Sequence, residues 1–128
     1  MANRVKLFFD GGCRPAPYGM EVAVVLRGRA YVRRDLGPGT SMDAEWLALI
    51  EAMRLAYDLG VADPLLLGDA AAVIAQANGT VRCPPAYRHH LETFRALPRP
   101  QAAVRIRHLK RTQNLAGIAL AARPLRSV

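Results

Sequence analysis

The hydrophobic period of this chain changes once, around residues 37–40, and that change limits the folds open to it. Before it come three strand-length apolar runs, "RVKLFFD" (4–10), "MEVAVVLRG" (20–28) and "RAYVRRDLG" (29–37). The first reads as a buried strand followed by a Gly/Pro loop, "GGCRPAPYG", and the next two as a hairpin turning at Arg27-Gly28. After it, in "PGTSMDAEWLALIEAMRLAYDLG" (38–60), Leu49, Met53, Ala56 and Tyr57 recur at helical spacing. Thr40 or Ser41 can cap that helix, acids fall in its first turn, and Gly60 stops it.

From there helix and strand alternate. "DPLLLGD" is a short buried strand ending at Asp69, and "AAAVIAQANG" a helix closed by Asn78-Gly79. "AYRHHLETFRAL" reads as a helix between Pro84-Pro85 and Pro98-Arg99-Pro100. "AAVRIRHL" is a half-exposed strand with Arg105 and Arg107 on one face and Val104 and Ile106 on the other. A last helix starts near Thr112 and runs to about Arg123, ended by Pro124. The order β-β-β-α-β-α-α-β-α predicts an α/β fold, a mixed five-stranded sheet with helices on its faces. At 128 residues, 1–128 is expected to form a single domain.

Net charge is +8, and its placement is uneven. Residues 1–81 carry 8 Lys/Arg against 9 Asp/Glu, whereas residues 82–128 carry 10 Lys/Arg against Glu92 alone. A basic C-terminal third of this kind suits a polyanion, whose condensed counterions are released on binding. An arginine-rich solvated surface is the competing explanation, since 16 of the 18 basic residues are Arg. No apolar run approaches the roughly 18 residues that cross a bilayer. In "MANRVKLFFD", Asp10 interrupts the apolar stretch too early for a secretory signal, so a cytoplasmic location is expected. Cys13 and Cys83 lack metal-type spacing and are expected to be free thiols.

Three acids carry the chemistry. Asp10 ends the first strand, Asp69 ends the fourth, and Glu45 sits in the first turn of the long helix. In α/β sheets the functional crevice lies beyond the carboxyl ends of the strands. Three carboxylates meeting there repel one another, and a hard divalent cation, Mg2+ or Mn2+, relieves that repulsion.

The chain at this point resembles a type 1 ribonuclease H over nearly its whole length. "LFFDGGCRPAP" resembles the family's first strand and glycine-rich turn, and "GTSMDAEWLALIEAM" the segment where an Ala-Glu pair opens the long helix. "LLLGDAAAVIAQANG" resembles its strand-Asp-helix segment, and "IRHLKRTQNLAGIALA" its closing strand, Arg-x-x-Asn turn and last helix. The resemblance implies hydrolysis of the RNA strand of RNA–DNA hybrids, with Asp10, Glu45 and Asp69 holding two Mg2+ or Mn2+ ions across the scissile phosphate. Carried over residue by residue, it also implies nucleic-acid contacts at Gly11, Gly12, Cys13, Arg14, Ser41, Lys110 and Arg111. No obligatory protein partner and no membrane partner is implied.

Several positions depart from the family pattern. The fourth metal-binding acid falls on Ile118, which cannot ligate, and no Asp or Glu follows Glu92. Asn114, one helical turn earlier, is the candidate substitute, through its amide oxygen; a simple helix-cap asparagine is the alternative. Ala16-Pro17-Tyr18 stands where relatives have Asn-Pro-Gly, and Ser41-Met42 where they have paired Asn. The histidine loop of some relatives is absent. His108 could assist a leaving group but reads better as structural, and His89-His90 reads as a surface pair lacking a third ligand. An active nuclease on hybrids, a related module that binds without cutting, and a nuclease of the same fold acting on DNA are the readings left open.

Overall fold

The computed structural model describes residues 4–122. Five strands form one mixed sheet: β1 (Arg4–Arg14), β2 (Gly19–Leu26), β3 (Arg29–Arg33), β4 (Asp63–Gly68) and β5 (Arg105–His108), in the spatial order β3-β2-β1-β4-β5. β1 to β3 make an antiparallel meander, and β4 and β5 add in parallel. The helices are α1 (Ser41–Asp58), α2 (Ala71–Ala77), α3 (Arg88–Ala96) and α4 (Leu115–Ala121), with 3-10 turns at Pro85–Tyr87 and Arg111–Gln113. The expected fold class and element order hold.

The β2–β3 hairpin closes at the two residues anticipated. Leu26 pairs with Arg29, and Arg27 (φ 50°) and Gly28 (φ 76°) both take left-handed backbone, as a two-residue turn that matches strand twist requires. α1 starts where Thr40 and Asp43 cap each other's backbone N–H groups in a capping box. Period-2 alternation then sorts the sheet's two faces. Leu7 and Phe9 of β1, with Val22, Val24 and Leu26 of β2, pack under α1 around the fully buried Trp46, Leu49 and Met53. Phe8, Ala23 and Val25 face the other way, against Ala116 and Leu120 of α4. Every residue of β2 is therefore buried, which explains its unbroken apolar run. None of the described helices is long and apolar enough to cross a membrane.

Two boundaries differ from the sequence reading. β1 does not stop at Asp10; it continues through Gly-Gly-Cys to Arg14, which pairs with Gly19. The last helix begins at Leu115 instead of near Thr112, because Arg111–Gln113 form a tighter turn and Asn114 becomes the cap. Its expected end at Arg123 lies outside the described residues. Both cysteines are free, Cys13 exposed and Cys83 buried.

Candidate active site

The site forms where one strand outruns its neighbour. β1 pairs with β4 only as far as Phe8–Leu67, whereas its pairing with β2 continues to Arg14. Past Phe8 the β4 side of β1 is open, and Asp69 follows the end of β4 beside that gap. Asp10, two residues after Phe8, shares its face of the pleat and points toward α4; a Cβ at Gly117 would lie 3.4 Å from its Oδ2. Glu45 arrives from α1 and accepts a hydrogen bond from the Gly11 backbone N–H. That approach demands glycine, since a Cβ at Gly11 would sit 2.1 Å from the Ala44 carbonyl oxygen. Helix and strand touch backbone to backbone here, which brings Glu45 down to β1. One carboxylate oxygen from each of Asp10, Glu45 and Asp69 lies within 4.8 Å of the others.

Burial and mutual repulsion leave this trio short of positive charge. Burial, then the charge of Asp69, pushes Asp10 up to about 6; hydrogen bonding to Glu45 and the nearby Arg111 guanidinium pull it partly back. Burial, then the charge of Asp10, pushes Glu45 up to about 8. Both carboxyls are thus held above the ordinary carboxylate range, in the direction that favours retaining a proton. A proton held this way marks a place where a cation would bind better, and an all-oxygen donor set suits Mg2+ or Mn2+. The residues present fit such an ion.

Asn114 is fully buried beside Asp69, and its backbone partners fix how its amide is turned. Nδ2 donates to the Phe9 carbonyl at 3.0 Å, which only the nitrogen can do, and to Asp69 Oδ2 at 2.9 Å. Oδ1 accepts from Ala116 N–H at 3.1 Å as the N-cap of α4. The amide oxygen offered by sequence as a ligand is thus turned to the helix backbone, while the nitrogen holds Asp69. Ile118, the position of the missing acid, is 59% exposed on the cleft wall.

The cleft, about 520 Å³, brings Gly11, Gly12, Ser41 and Arg111 together with Asp10 and Glu45, and Ile118 and Ala121 form its apolar side. Cys13 and Arg14 line a separate hollow of about 380 Å³ with Pro17 and Gly39. Lys110 is exposed just ahead of the 3-10 turn, and His108 is exposed on β5 beside Gly68. Sequence reading missed that the Gly11 N–H anchors Glu45 and that Asp43 pairs with His90 at 2.9 Å. The Thr40-x-x-Asp43 capping pattern places Asp43 at the start of α1 but carries no signal for His90, 47 residues away.

A five-stranded sheet in this order, with carboxylates gathered where β1 outruns the end of β4, defines a ribonuclease H-like nuclease fold. Residues 19–123 match the family model described as "Reverse transcriptase-like". No curated protein matches the sequence. Among solved structures, ribonuclease H1 from the halophilic archaeon Halobacterium salinarum NRC-1 superposes with a TM-score of 0.78 at 29% identity, over 92% of this chain and 94% of that one. The N-terminal ribonuclease H domain of a Mycobacterium tuberculosis protein gives 0.80 at 22% identity, covering 92% and 90%. LC11-ribonuclease H1, solved with an RNA/DNA hybrid, gives 0.76 at 19% identity, covering 91% and 92%. The chain belongs to the reverse transcriptase-like family, and its structure is similar to those of ribonucleases H1.

Proposed function

We propose that this protein is a divalent-metal-dependent endoribonuclease that cleaves the RNA strand of RNA–DNA hybrids. The observation that carries the reading is the half-buried trio Asp10, Glu45 and Asp69, whose oxygens converge within 4.8 Å with Arg111 the one basic side chain on the cleft wall among the described residues. Its kinship to proteins solved as ribonuclease H1, one of them bound to an RNA/DNA hybrid, supports the substrate class.

In this reading the three carboxylates hold Mg2+ or Mn2+, which when bound activates water and stabilises the leaving oxygen of a phosphodiester. The chain's own residues do the rest. Gly11 N–H fixes Glu45, and Asn114 fixes Asp69, so two of the three ligands are oriented in advance. The Arg111 guanidinium, at the cleft wall, pairs with phosphate oxygens. Gly11 and Gly12, on the cleft wall, would let the substrate approach the backbone, and Ser41 beside them would meet ribose along a shallow minor groove. Cys13, Arg14 and Lys110 extend the same contact along the strand.

Ile118 favours a second reading. An isoleucine at the cleft wall offers no ligand, so a module that binds hybrid without cutting it is consistent with the same face. Incubating a labelled hybrid with Mg2+ or Mn2+ separates the two: cleavage exceeding that of Asp10→Asn protein supports the nuclease, and equal rates support the module. Parallel incubations with double-stranded RNA and with DNA test the hybrid preference.

A further inference from the structure

A second cluster of ligating side chains lies at the same helix start, on the other side of α1. Asp43, in the first turn of α1, and Glu45, two residues on, leave the helix about 200° apart. Asp43 is held firmly: its Oδ2 accepts from Thr40 N–H and from Thr40 Oγ1–H, both at 2.9 Å. Its Oδ1 lies 2.9 Å from His90 Nε2. The His90 ring is fixed too, buried and stacked between Trp46 and Tyr87 with centroids at 6.3 and 6.5 Å. His89, exposed on α3, brings its ring centroid to 3.9 Å from that of His90. One ligand atom from each of Asp43, His89 and His90 lies within 4.8 Å of the other two.

We infer that Asp43, His89 and His90 form a second metal site, taking a borderline transition metal such as Zn2+ with water completing its shell. The ligand type argues for that class: two imidazoles and one carboxylate select zinc-like ions, whereas the all-oxygen trio across α1 selects Mg2+ or Mn2+. Spacing agrees. Two ligands about 2.0–2.1 Å from one tetrahedral ion stand roughly 3.3–3.4 Å apart, so the Asp43–His90 pair, now at 2.9 Å, must open by about half an ångström. Surrounding contacts agree as well, since Thr40 orients the carboxylate through its second oxygen and Trp46 and Tyr87 hold the buried ring. A plain hydrogen bond between α1 and α3 accounts for Asp43 and His90; the metal adds a role for the neighbouring imidazole of His89, whose ligand atom lies within 4.8 Å of both. On binding, the Nε2 proton that His90 shares with Asp43 Oδ1 must leave: the neutral ring moves to the tautomer protonated on Nδ1, or the imidazolium releases that proton to solvent, and the freed Nε2 lone pair goes to the ion. A groove of about 420 Å³ containing both histidines gives the ion a route from solvent.

The test needs no substrate, so it stands apart from the nuclease reading. Tag-free Asp10→Asn protein, its carboxylate trio weakened, is titrated calorimetrically with Zn2+ and spectroscopically with Co2+. We expect one equivalent to bind, visible Co2+ bands to appear, and the thermal midpoint to rise with Zn2+. His89→Gln in that background should weaken binding by at least about tenfold and abolish the thermal shift. Because His89 is exposed, its metal-free thermal midpoint should match that of the parent. Cys13→Ser should leave Zn2+ binding unchanged. Absence of saturable binding, affinity unaffected by His89→Gln, or affinity lost with Cys13→Ser would each overturn the inference.

Discussion

At residue 114 three hydrogen bonds decide which substitution can strengthen the site. Asn114→Asp keeps the helix cap but removes the donor to the Phe9 carbonyl and sets a second carboxylate about where the amide meets Asp69, at 2.9 Å. Leaving a buried carbonyl unsatisfied costs about 1–3 kcal/mol, and carboxylate repulsion adds to it. Denaturant unfolding should therefore show a clear loss of stability for Asn114→Asp, and hybrid cleavage should fall with it. Ile118→Asp is the opposite case. That side chain is 59% exposed on the cleft wall, so the change should alter stability by no more than about 0.5 kcal/mol. It adds a fourth carboxylate, and the Mg2+ concentration giving half-maximal cleavage should fall by about tenfold. If Asn114→Asp were the activating change, the amide orientation described above would be wrong. Sequence brought Asp10, Glu45 and Asp69 together because strands and helix starts are readable from local pattern, although β1 runs past Asp10 to Arg14 and what ends at Phe8 is its pairing with β4. The bonding of Asn114 was not readable, because its direction is set by the Phe9 carbonyl, 105 residues away.

At the scale of elements, the β1–α1 approach governs whether Glu45 reaches the site. Gly11 and Gly12 look alike in sequence, and with the prolines after them they read as a turn. In the structure they pair with Val22 and Glu21 as continuing strand. Glycine inside a strand often marks close backbone approach, and only one of the two does so here. A Cβ at position 11 would meet the Ala44 carbonyl at 2.1 Å, whereas one at position 12 would have Leu120 Cδ2 at 3.6 Å as its nearest neighbour. Gly11→Ala should push α1 off β1, costing about 1–3 kcal/mol by overpacking and displacing Glu45. Gly12→Ala should leave unfolding near that of the parent protein. Paired denaturant curves check both. The period change at residues 37–40 was enough to give the element order, since apolar spacing alone distinguishes strand from helix. It could not give the length of β1 or the late start of α4, which depend on a partner strand and a buried cap.

Over the whole molecule, the basic C-terminal third and the acidic pocket act at different ranges. Part of the excess charge is used internally: Arg105 pairs with Asp63, and Arg99 lies over the Phe94 ring. Exposed Lys110 and Arg111 remain near the cleft, so hybrid binding should weaken steadily with added salt even in Asp10→Asn protein. The pocket sets how stability depends on pH. Folding raises Asp10 from 3.8 to about 6 and Glu45 from 4.5 to about 8, so the folded chain holds protons that the unfolded chain has released. Below about pH 4 both states are protonated at these groups and neither contributes a difference. As pH rises the unfolded state gains from ionising first, and folding stability falls until the folded carboxyls also ionise near pH 8. In EDTA the denaturation midpoint of the wild-type chain, referred to that of Asp10→Asn, should therefore fall between about pH 4 and pH 8. The variant removes both the titration of Asp10 and its repulsion of Glu45, so the difference isolates the pocket from every other group. Saturating Mg2+ should flatten it by supplying the positive charge that the retained proton otherwise provides. A difference curve that stayed level in EDTA would mean the three carboxylates do not share one buried field, and the case for a metal there would fail with it.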